Sequence, residues 1–453
     1  MGNQMTYQEF KEEVIRIASR EGIADYELYY TESESTSVEI FKEEVKGYSI
    51  EDSMGICLRC IIDGRAGYAS TENLTAEEAA SLVSRAVDNA RSIESQEESP
   101  LHHKGDAYAS LEEGQCEAPD GTALVDAALN LQKEMYQVDS RVADGTQSYL
   151  GHVSERYALC NSNGLDLEDK VSYTVGFGIA LVSDGGEMYD GSEDKRGRLQ
   201  DFDMKEIAGK AVEEALSTIG AGSVPSGQYT VVFSNKAMAT LLGTYSDVFS
   251  AEQAQKGMSL LKGKEGEKVA ADIITIVDDP LYKDSVTKRT FDGEGVATYA
   301  KNVVENGTLT TLLYNLKTAA VAGVKSTGNA SKASYASVVG TSPFTFFIRP
   351  AEVECGLEDM LAAAGSGIYV TEVTGLHAGA NSVTGDFSLS SVGFRIVDGR
   401  KDAPVKNFTV SGNFFTLLKE IEKVGSDLDF SRGKFGAPSV LARDISVAGN
   451  SEG

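Results

Sequence analysis

The segment Gly375–Leu389, with the sequence GLHAGANSVTGDFSL, places a histidine near an asparagine, a threonine and an aspartate in a glycine-rich stretch. An imidazole near a carboxylate can exchange protons at neutral pH, although a single histidine in such a loop is more often a hydrogen-bonding or surface residue. Thr384, Asp386 and Ser388 have the spacing of a strand, which would turn all three side chains to one face. That arrangement fits a polar groove and equally a solvated strand face.

The histidine pattern does not indicate a zinc hydrolase. Such an enzyme needs two or three imidazoles near a carboxylate, and among the four histidines no HExxH or related spacing occurs. His102 and His103 are adjacent and cannot share a helix face, while His152 and His377 each stand apart from other histidines.

The cysteines are interpreted as reduced and structural. Cys57 and Cys60 form a CxxC pattern, but it lies in an apolar run expected to be a strand, where residues three apart point to opposite faces. An odd number of scattered cysteines is typical of a reducing compartment. The five are Cys57, Cys60, Cys116, Cys160 and Cys355.

Other catalytic motifs are absent from the sequence. No GxSxG occurs, and the glycine-rich stretches fit neither a Walker nor a Rossmann signature. The acid pair Asp278-Asp279 could bind a cation, but in a chain this acidic a role without a bound ion is favoured. The DGEG run Asp292–Gly295 is interpreted as a turn.

The charge balance excludes some classes of partner. The 453 residues include 69 acidic and 41 basic side chains, a net charge of -28, which would be repelled by phosphate backbones and anionic membranes. The amino terminus shows no signal-peptide pattern, and no run approaches the ~20 apolar residues of a membrane span. We therefore expect a soluble, cytoplasmic protein that binds neither nucleic acid nor membrane.

The element pattern predicts an α+β protein. Capping boxes at Thr6 and Thr75 open two amphipathic helices, and a long helix is expected from Asn235 to about Gln255. Turns at Asp63-Gly64, Asn163-Gly164, Asn306-Gly307 and Asp398-Gly399 are of hairpin type. We predict an N-terminal α+β domain with a polar linker (1–117), a middle α+β domain (118–225) and a C-terminal domain dominated by antiparallel sheet (226–453).

Several blocks in a fixed order resemble one protein family. The run GLHAGANSVTGDFSLSSVGFRIVDGRKDAPVKNFTVSGN, followed by KVGSDL, resembles the carboxy-terminal signature of the TldD/PmbA family, in particular its PmbA (TldE) branch. GICLRCIIDGRAGYASTENLT resembles the family's amino-terminal hairpin, and KGMSLLKGKEGEKVAADIITIVDDP, FDGEGV and KSTGNAS resemble its central blocks. The resemblance spans nearly the whole chain.

This resemblance implies a subunit of a cytoplasmic metalloprotease that cleaves unfolded peptides, in a family historically called modulator of DNA gyrase. In the TldD type, an HExxxH helix and a cysteine near the carboxy terminus hold zinc. An ungapped count places those three motif positions on Leu242, Gly243 and Asp247, and the last cysteine is Cys355. We expect no metal in this chain, because leucine offers no lone pair and glycine no general base.

The resemblance thus implies a metal-free subunit that forms a heterodimer with a TldD-like zinc subunit, and that can form a homodimer when alone. In this interpretation His377, Asn381, Thr384 and Asp386 lie in a groove that binds unfolded peptide by strand addition. The competing interpretation is that these four residues brace a turn at the subunit interface. Two alternatives remain open for the whole chain: a homodimeric hydrolase with an unrecognised site, and a binding or scaffold protein without catalysis.

Overall fold

The computed structural model describes residues 4–94, 100–111, 117–430 and 433–449; Cys116 lies outside them. The helices are α1 (Tyr7–Arg20), α2 (Ala76–Ser92), α3 (Gly121–Val138), α4 (Met204–Ser217), α5 (Asn235–Thr244), α6 (Ala251–Gln255), α7 (Leu316–Ala322), α8 (Leu357–Ala364), α9 (Leu376–Gly379) and α10 (Phe414–Glu420). The strands are β1 (Asp25–Phe41), β2 (Glu44–Ile62), β3 (Arg65–Thr71), β4 (Gln147–Asn161), β5 (Asp166–Asp184), β6 (Glu187–Gly197), β7 (Gly227–Phe233), β8 (Ile276–Asp278), β9 (Lys301–Glu305), β10 (Thr308–Leu309), β11 (Ala330–Ser331), β12 (Gly340–Thr341), β13 (Phe346–Ile348), β14 (Gly367–Thr374), β15 (Asp386–Val397), β16 (Arg400–Asn413), β17 (Ile421–Val424), β18 (Phe435–Gly436) and β19 (Val440–Ala448).

The helices and the hairpin predicted near the amino terminus are present in the structure. The Thr6 side chain accepts the Glu9 N–H and the Glu9 side chain accepts the Thr6 N–H, which is the reciprocal bonding of a capping box. Thr75 caps α2 by accepting the Glu78 N–H. Asp63 and Gly64 both have positive φ, as a tight hairpin turn between β2 and β3 requires. No described helix is both long and apolar enough to cross a membrane.

The first six strands form one antiparallel sheet in the order β3-β2-β1-β4-β5-β6. The helices cover one face in two groups, with Leu28 and Tyr30 of β1 packing on α1 and α2, and Val38 and Ile40 packing on α3 and α4. The predicted boundary between residues 117 and 118 falls between β3 and β4, so both predicted N-terminal units contribute strands to this sheet.

The C-terminal part is mostly antiparallel, as predicted. Strands β16, β15, β14, β7 and β19 form a closed ring, because β16 also pairs with β19; β17 adds to β19. The ring is antiparallel except where β14 meets β7. A second sheet has the order β10-β9-β8-β13-β18, and β11 and β12 form a short ladder.

The prediction of one long helix from Asn235 to about Gln255 is wrong. Helix α5 ends at Thr244, a 3-10 turn covers Ser246–Phe249, and α6 begins only at Ala251. Tyr245 leaves the helical region (φ -99°, ψ 7°), and Ser250, between the 3-10 turn and α6, is extended (φ -73°, ψ 126°). The periodicity misled because α5, the turn and α6 bury apolar residues in the same core.

A buried charged junction joins the uncovered face of the first sheet to the C-terminal part. Arg59 of β2 lies between two acids, with Nε 3.4 Å from Glu27 Oε1 and Nη1 3.3 Å from Glu294 Oε1, and all three side chains are almost fully buried. Glu294 Oε2 also accepts the Leu316 N–H at 2.8 Å. Nearby, the Asp169 carboxylate of β5 accepts both the N–H and the hydroxyl of Thr290. Polar bonds therefore hold the two parts in one orientation.

We expect Arg59→Met to destabilise the protein by about 3–5 kcal/mol at pH 8, because it leaves Glu27 and Glu294 buried without a cation. Burial raises the pKa of Glu294 from 4.5 to about 7. Between pH 4.5 and pH 7, Glu294 is therefore protonated in the folded protein and ionised in the unfolded chain. The loss should therefore be smaller at pH 5.5. Urea unfolding followed by circular dichroism at both pH values measures it, with Arg59→Lys as the control that keeps the charge. An equal loss of stability at pH 8 and at pH 5.5 would contradict the pairing of Arg59 with an ionised Glu294.

Candidate functional site

The three positions of the lost zinc motif do not form a ligand set. The Leu242 side chain is fully buried in the core of the C-terminal part. Gly243 lies beneath the ring of Phe435, where a Cβ would come within 2.9 Å of Cδ2. Asp247 lies beyond the end of α5, exposed in the 3-10 turn. Zinc needs several nitrogen, sulfur or oxygen ligands converging on one point, and these residues do not fit it.

Histidine and cysteine do not supply a metal site elsewhere in the described residues, where no group of three or more His, Cys, Asp or Glu could hold a metal ion. His102 Nε2 lies 2.8 Å from Asp106, and His152 is buried with Nδ1 3.1 Å from the Thr174 hydroxyl. Cys57 and Cys60 are both buried, and Cys60 packs among α1 and α2. Burial raises the pKa of the Cys60 thiol to about 11, which disfavours the reactive thiolate.

Three of the four predicted groove residues lie together in one turn. Asn381 Oδ1 accepts the N–H groups of Val383 and Thr384, at 3.0 and 3.2 Å. Asn413 Nδ2 donates to the Thr384 carbonyl at 2.8 Å and to Asp386 Oδ1 at 2.9 Å. The bond from Asn413, with a second from Thr384, lowers the pKa of the exposed Asp386 carboxyl. These side chains brace the entry into β15.

The fourth residue, His377, lies in the short helix α9 with its side chain exposed. The turn is also tied to the helix that carries the lost motif. The Tyr245 hydroxyl donates to the Asp386 carbonyl at 2.8 Å, and the Tyr245 ring stacks on Phe414 at 4.6 Å. The turn that follows α9 is therefore fixed against the end of α5.

A cleft of about 940 Å³ separates the edge of the first sheet from the C-terminal part. One wall is polar and comes from β6 and the start of α4, including Glu193, Arg196 and Lys210. The opposite wall comes from the loop 282–287 and the segment 426–430, with Gly433 and Lys434. The four predicted groove residues do not line this cleft.

Helix α5 does not line the cleft, but its start is bonded to the first wall. Lys236, near its start, donates to Glu193 Oε2 at 2.7 Å, and Lys210 of α4 lies 3.6 Å from the other oxygen of that carboxylate. On the second wall, Lys434 donates to the Ser342 hydroxyl and the Pro343 carbonyl. Burial lowers the pKa of Lys434, against the opposing effect of Asp278. The start of α5, which carries Leu242 and Gly243 further along, is thus bonded to Glu193 of the cleft.

An aromatic cluster forms the apolar part of the cleft. The Tyr282 ring centroid lies 4.8 Å from Phe347 and 5.3 Å from Phe430, and these two phenylalanine rings are 5.5 Å apart. Tyr282 and Phe430 line the cleft, while Phe347 is buried behind them. No local sequence pattern predicts this cluster, because its members come from three separate segments of the chain.

Comparisons with known proteins agree along the whole chain. Family models described as PmbA/TldA metallopeptidase domain 1, central domain and C-terminal domain match residues 26–90, 116–219 and 226–449. An uncharacterized protein of Methanocaldococcus jannaschii is 31% identical over 95% of this chain and 98% of its own length.

Solved structures show the same fold. A putative modulator of a DNA gyrase from Thermotoga maritima has a TM-score of 0.89 and 30% identity, covering 98% of this chain and 100% of its own. TldE from Thermococcus kodakarensis also has a TM-score of 0.89, at 21% identity, covering 97% of this chain and 100% of its own. With three family models in their order along one chain, and close relatives over its full length, this protein belongs to the PmbA/TldD metallopeptidase family.

Proposed function

We propose that this chain is a PmbA/TldE-type subunit that lacks the metal site and acts in a cytoplasmic peptidase together with a TldD-like zinc subunit. The observation that carries the proposal is the state of the three motif positions. Leu242 belongs to the apolar core, and the ring of Phe435 covers Gly243. Asp247 has no histidine near it in the sequence. A single aspartate beside a leucine and a glycine offers one weak zinc ligand and no general base, so in this proposal the partner supplies that chemistry.

The contribution of this chain is to bind the substrate. The cleft of about 940 Å³ offers a polar strand, β6, on one side and the rings of Tyr282 and Phe430 on the other. A strand can bond an extended peptide through its main chain, which tolerates many sequences, while aromatic rings accept apolar side chains. Both features suit an unfolded peptide, in which main chain and apolar side chains are exposed together. Direct nucleic acid binding is disfavoured by the net charge of -28.

The two alternatives predict different behaviour of the isolated chain. A homodimeric hydrolase with another site would cleave peptides alone and in the presence of a chelator. A binding or scaffold protein would neither cleave peptides nor need a zinc subunit.

The purified chain should contain substoichiometric zinc and should not cleave an unstructured peptide that carries a fluorophore and a quencher. Adding the homologue with the HExxxH motif from the same cell should produce cleavage that a chelator abolishes, because the mixture then contains a complete site. The control is the same homologue with its first motif histidine changed to alanine. Stoichiometric zinc or cleavage by the lone chain would overturn the proposal, and a mixture in which the two chains do not associate would favour the scaffold alternative.

Tyr282→Ala should raise the KM of the mixed enzyme for that peptide about tenfold, because removing an aromatic contact of about 1.4 kcal/mol weakens substrate binding. The kcat should change little, since the zinc chemistry belongs to the other subunit. Tyr299→Ala, which removes a tyrosine that is 48% exposed and outside the cleft, is the matched control. An unchanged KM for Tyr282→Ala would place substrate binding outside the cleft.

The groove predicted around His377 is tested separately by His377→Ala. The side chain is exposed, and no hydrogen bond to it forms within the described ranges, so the melting temperature should not change. If peptide passes over α9, KM should rise several-fold through the loss of an imidazole contact. An unchanged KM would assign Asn381, Thr384 and Asp386 to bracing the turn alone.

A further inference from the structure

Lys434 is a half-buried cation in the wall of the cleft. It comes directly before β18 and lines the cleft together with Tyr282 and Phe430. Its ammonium donates to the Ser342 hydroxyl at 2.9 Å and to the Pro343 carbonyl at 3.0 Å. Both acceptors are neutral, so these bonds use two of the three ammonium donors and leave the positive charge unbalanced.

No carboxylate pairs with this ammonium in the part of the chain that the structure describes, where none lies within 4.0 Å of Lys434 Nζ. Asp278 is close enough to act on its charge but pairs with Lys301 at 3.1 Å, and Asp247 acts on it from an exposed turn. The Phe435 ring, 5.3 Å from Nζ, is a weak partner for a cation. A charge removed from water without a partner is costly, so a carboxylate entering the cleft would be stabilised here.

The other charged side chains of the cleft are paired or lie in water. The remaining cations are each within 4.0 Å of an acid or exposed to solvent; they are Lys195, Arg196, Lys210 and Lys283. The acids that line the cleft also have partners within the chain. Within the described ranges, Lys434 is therefore the cation of the cleft that is both partly buried and unpaired.

An apolar surface adjoins this cation on the same short strand. Gly436 follows Lys434 by two residues and lies against the Phe430 ring, where a Cβ would come within 2.5 Å of Cε1. Gly436 also pairs with Phe347, the buried member of the aromatic cluster. Two residues of extended chain span about 7 Å, so the cation and the aromatic surface are neighbours in the cleft.

We propose that this end of the cleft binds the carboxyl terminus of an unfolded peptide, with the terminal carboxylate at Lys434 and the last side chain against Tyr282 and Phe430. In the last residue of a peptide, the carboxylate and the side chain leave the same Cα and can reach two neighbouring groups. The inference rests on the proposed function, in which this cleft holds peptide. It adds that the cleft selects chain ends, because an internal segment carries no main-chain carboxylate.

The net charge of -28 repels an anionic ligand at long range. A pair formed in a partly buried site is screened by salt much less than charges in water. The preference for a free carboxyl terminus should therefore persist at about 0.5 M salt, where the long-range repulsion is largely screened.

Binding of fluorophore-labelled peptides, followed by fluorescence anisotropy, tests the inference. The probe is an unstructured peptide ending in phenylalanine, prepared as the free acid, as the amide, and as an amide with an aspartate inside the chain. It is added to the full chain, alone and mixed with the zinc homologue whose first motif histidine is changed to alanine. The free acid should bind about tenfold or more tightly than either amide, because it alone joins a carboxylate to the last residue.

Variants separate the two contacts. Lys434→Met should bring the affinities of the acid and the amide to within about twofold of each other, since the cation is lost while the length of the side chain is kept. Tyr282→Ala should weaken both peptides and leave their ratio unchanged. Lys133→Met, at an exposed position on α3 outside the cleft, is the matched control. Circular dichroism confirms that each variant is folded.

The outcomes distinguish this inference from the proposed function. If the acid and the amide bind equally and Tyr282→Ala weakens both, the cleft holds peptide but does not recognise its terminus, and only the inference is wrong. It is also wrong if the amide with an internal aspartate binds as tightly as the acid, or if Lys434→Met keeps the preference. If no peptide binds to either preparation, the substrate-binding role of the cleft is wrong as well.

Discussion

The arrangement of the whole molecule depends on one buried guanidinium. Arg59 emerges from the middle of the first sheet and lies between Glu27 of the same sheet and Glu294 of the C-terminal part. A charge removed from water must be paired and hydrogen-bonded, so this group tolerates few other orientations of the two parts. The walls of the cleft belong to the two parts that this junction joins.

In the C-terminal part, Leu242, at the first position that the resemblance aligns with the zinc motif, belongs to the core. Leu242 lies in the same core as the strands of the closed ring. The Tyr245 hydroxyl donates to the Asp386 carbonyl at the start of β15. The buried leucine stabilises the fold through its apolar contacts and offers no ligand atom to a metal. In the proposed role, the chain shares the architecture of a peptidase family and contributes binding.

Local signals predicted the local structure well. The caps at Thr6 and Thr75 and the turn at Asp63-Gly64 depend on neighbours a few residues away, and the sequence contains all the participants. The α+β class and the antiparallel C-terminal part followed from the same signals. The DGEG run was interpreted only as a turn; the Gly295 N–H does bond the Asp292 carbonyl, but the run also carries the buried Glu294. Its partner Arg59 is more than 200 residues away in the sequence, so no local pattern could reveal the pair. The cleft was not predicted either, because its lining residues come from segments that are far apart in the sequence.

The ring of Phe435 over Gly243 has an evolutionary consequence. A glutamate at position 243 would place its Cβ within 2.9 Å of that ring, so the general base of the motif cannot return unless Phe435 moves as well. The histidine needed at position 242 would meanwhile bring a polar ring into a dry core. Each of these two changes alone would therefore lower the stability of the fold. In the proposed metal-free role, a zinc site could be gained at these positions only through steps at 242 and 243 that lower stability before any activity could appear.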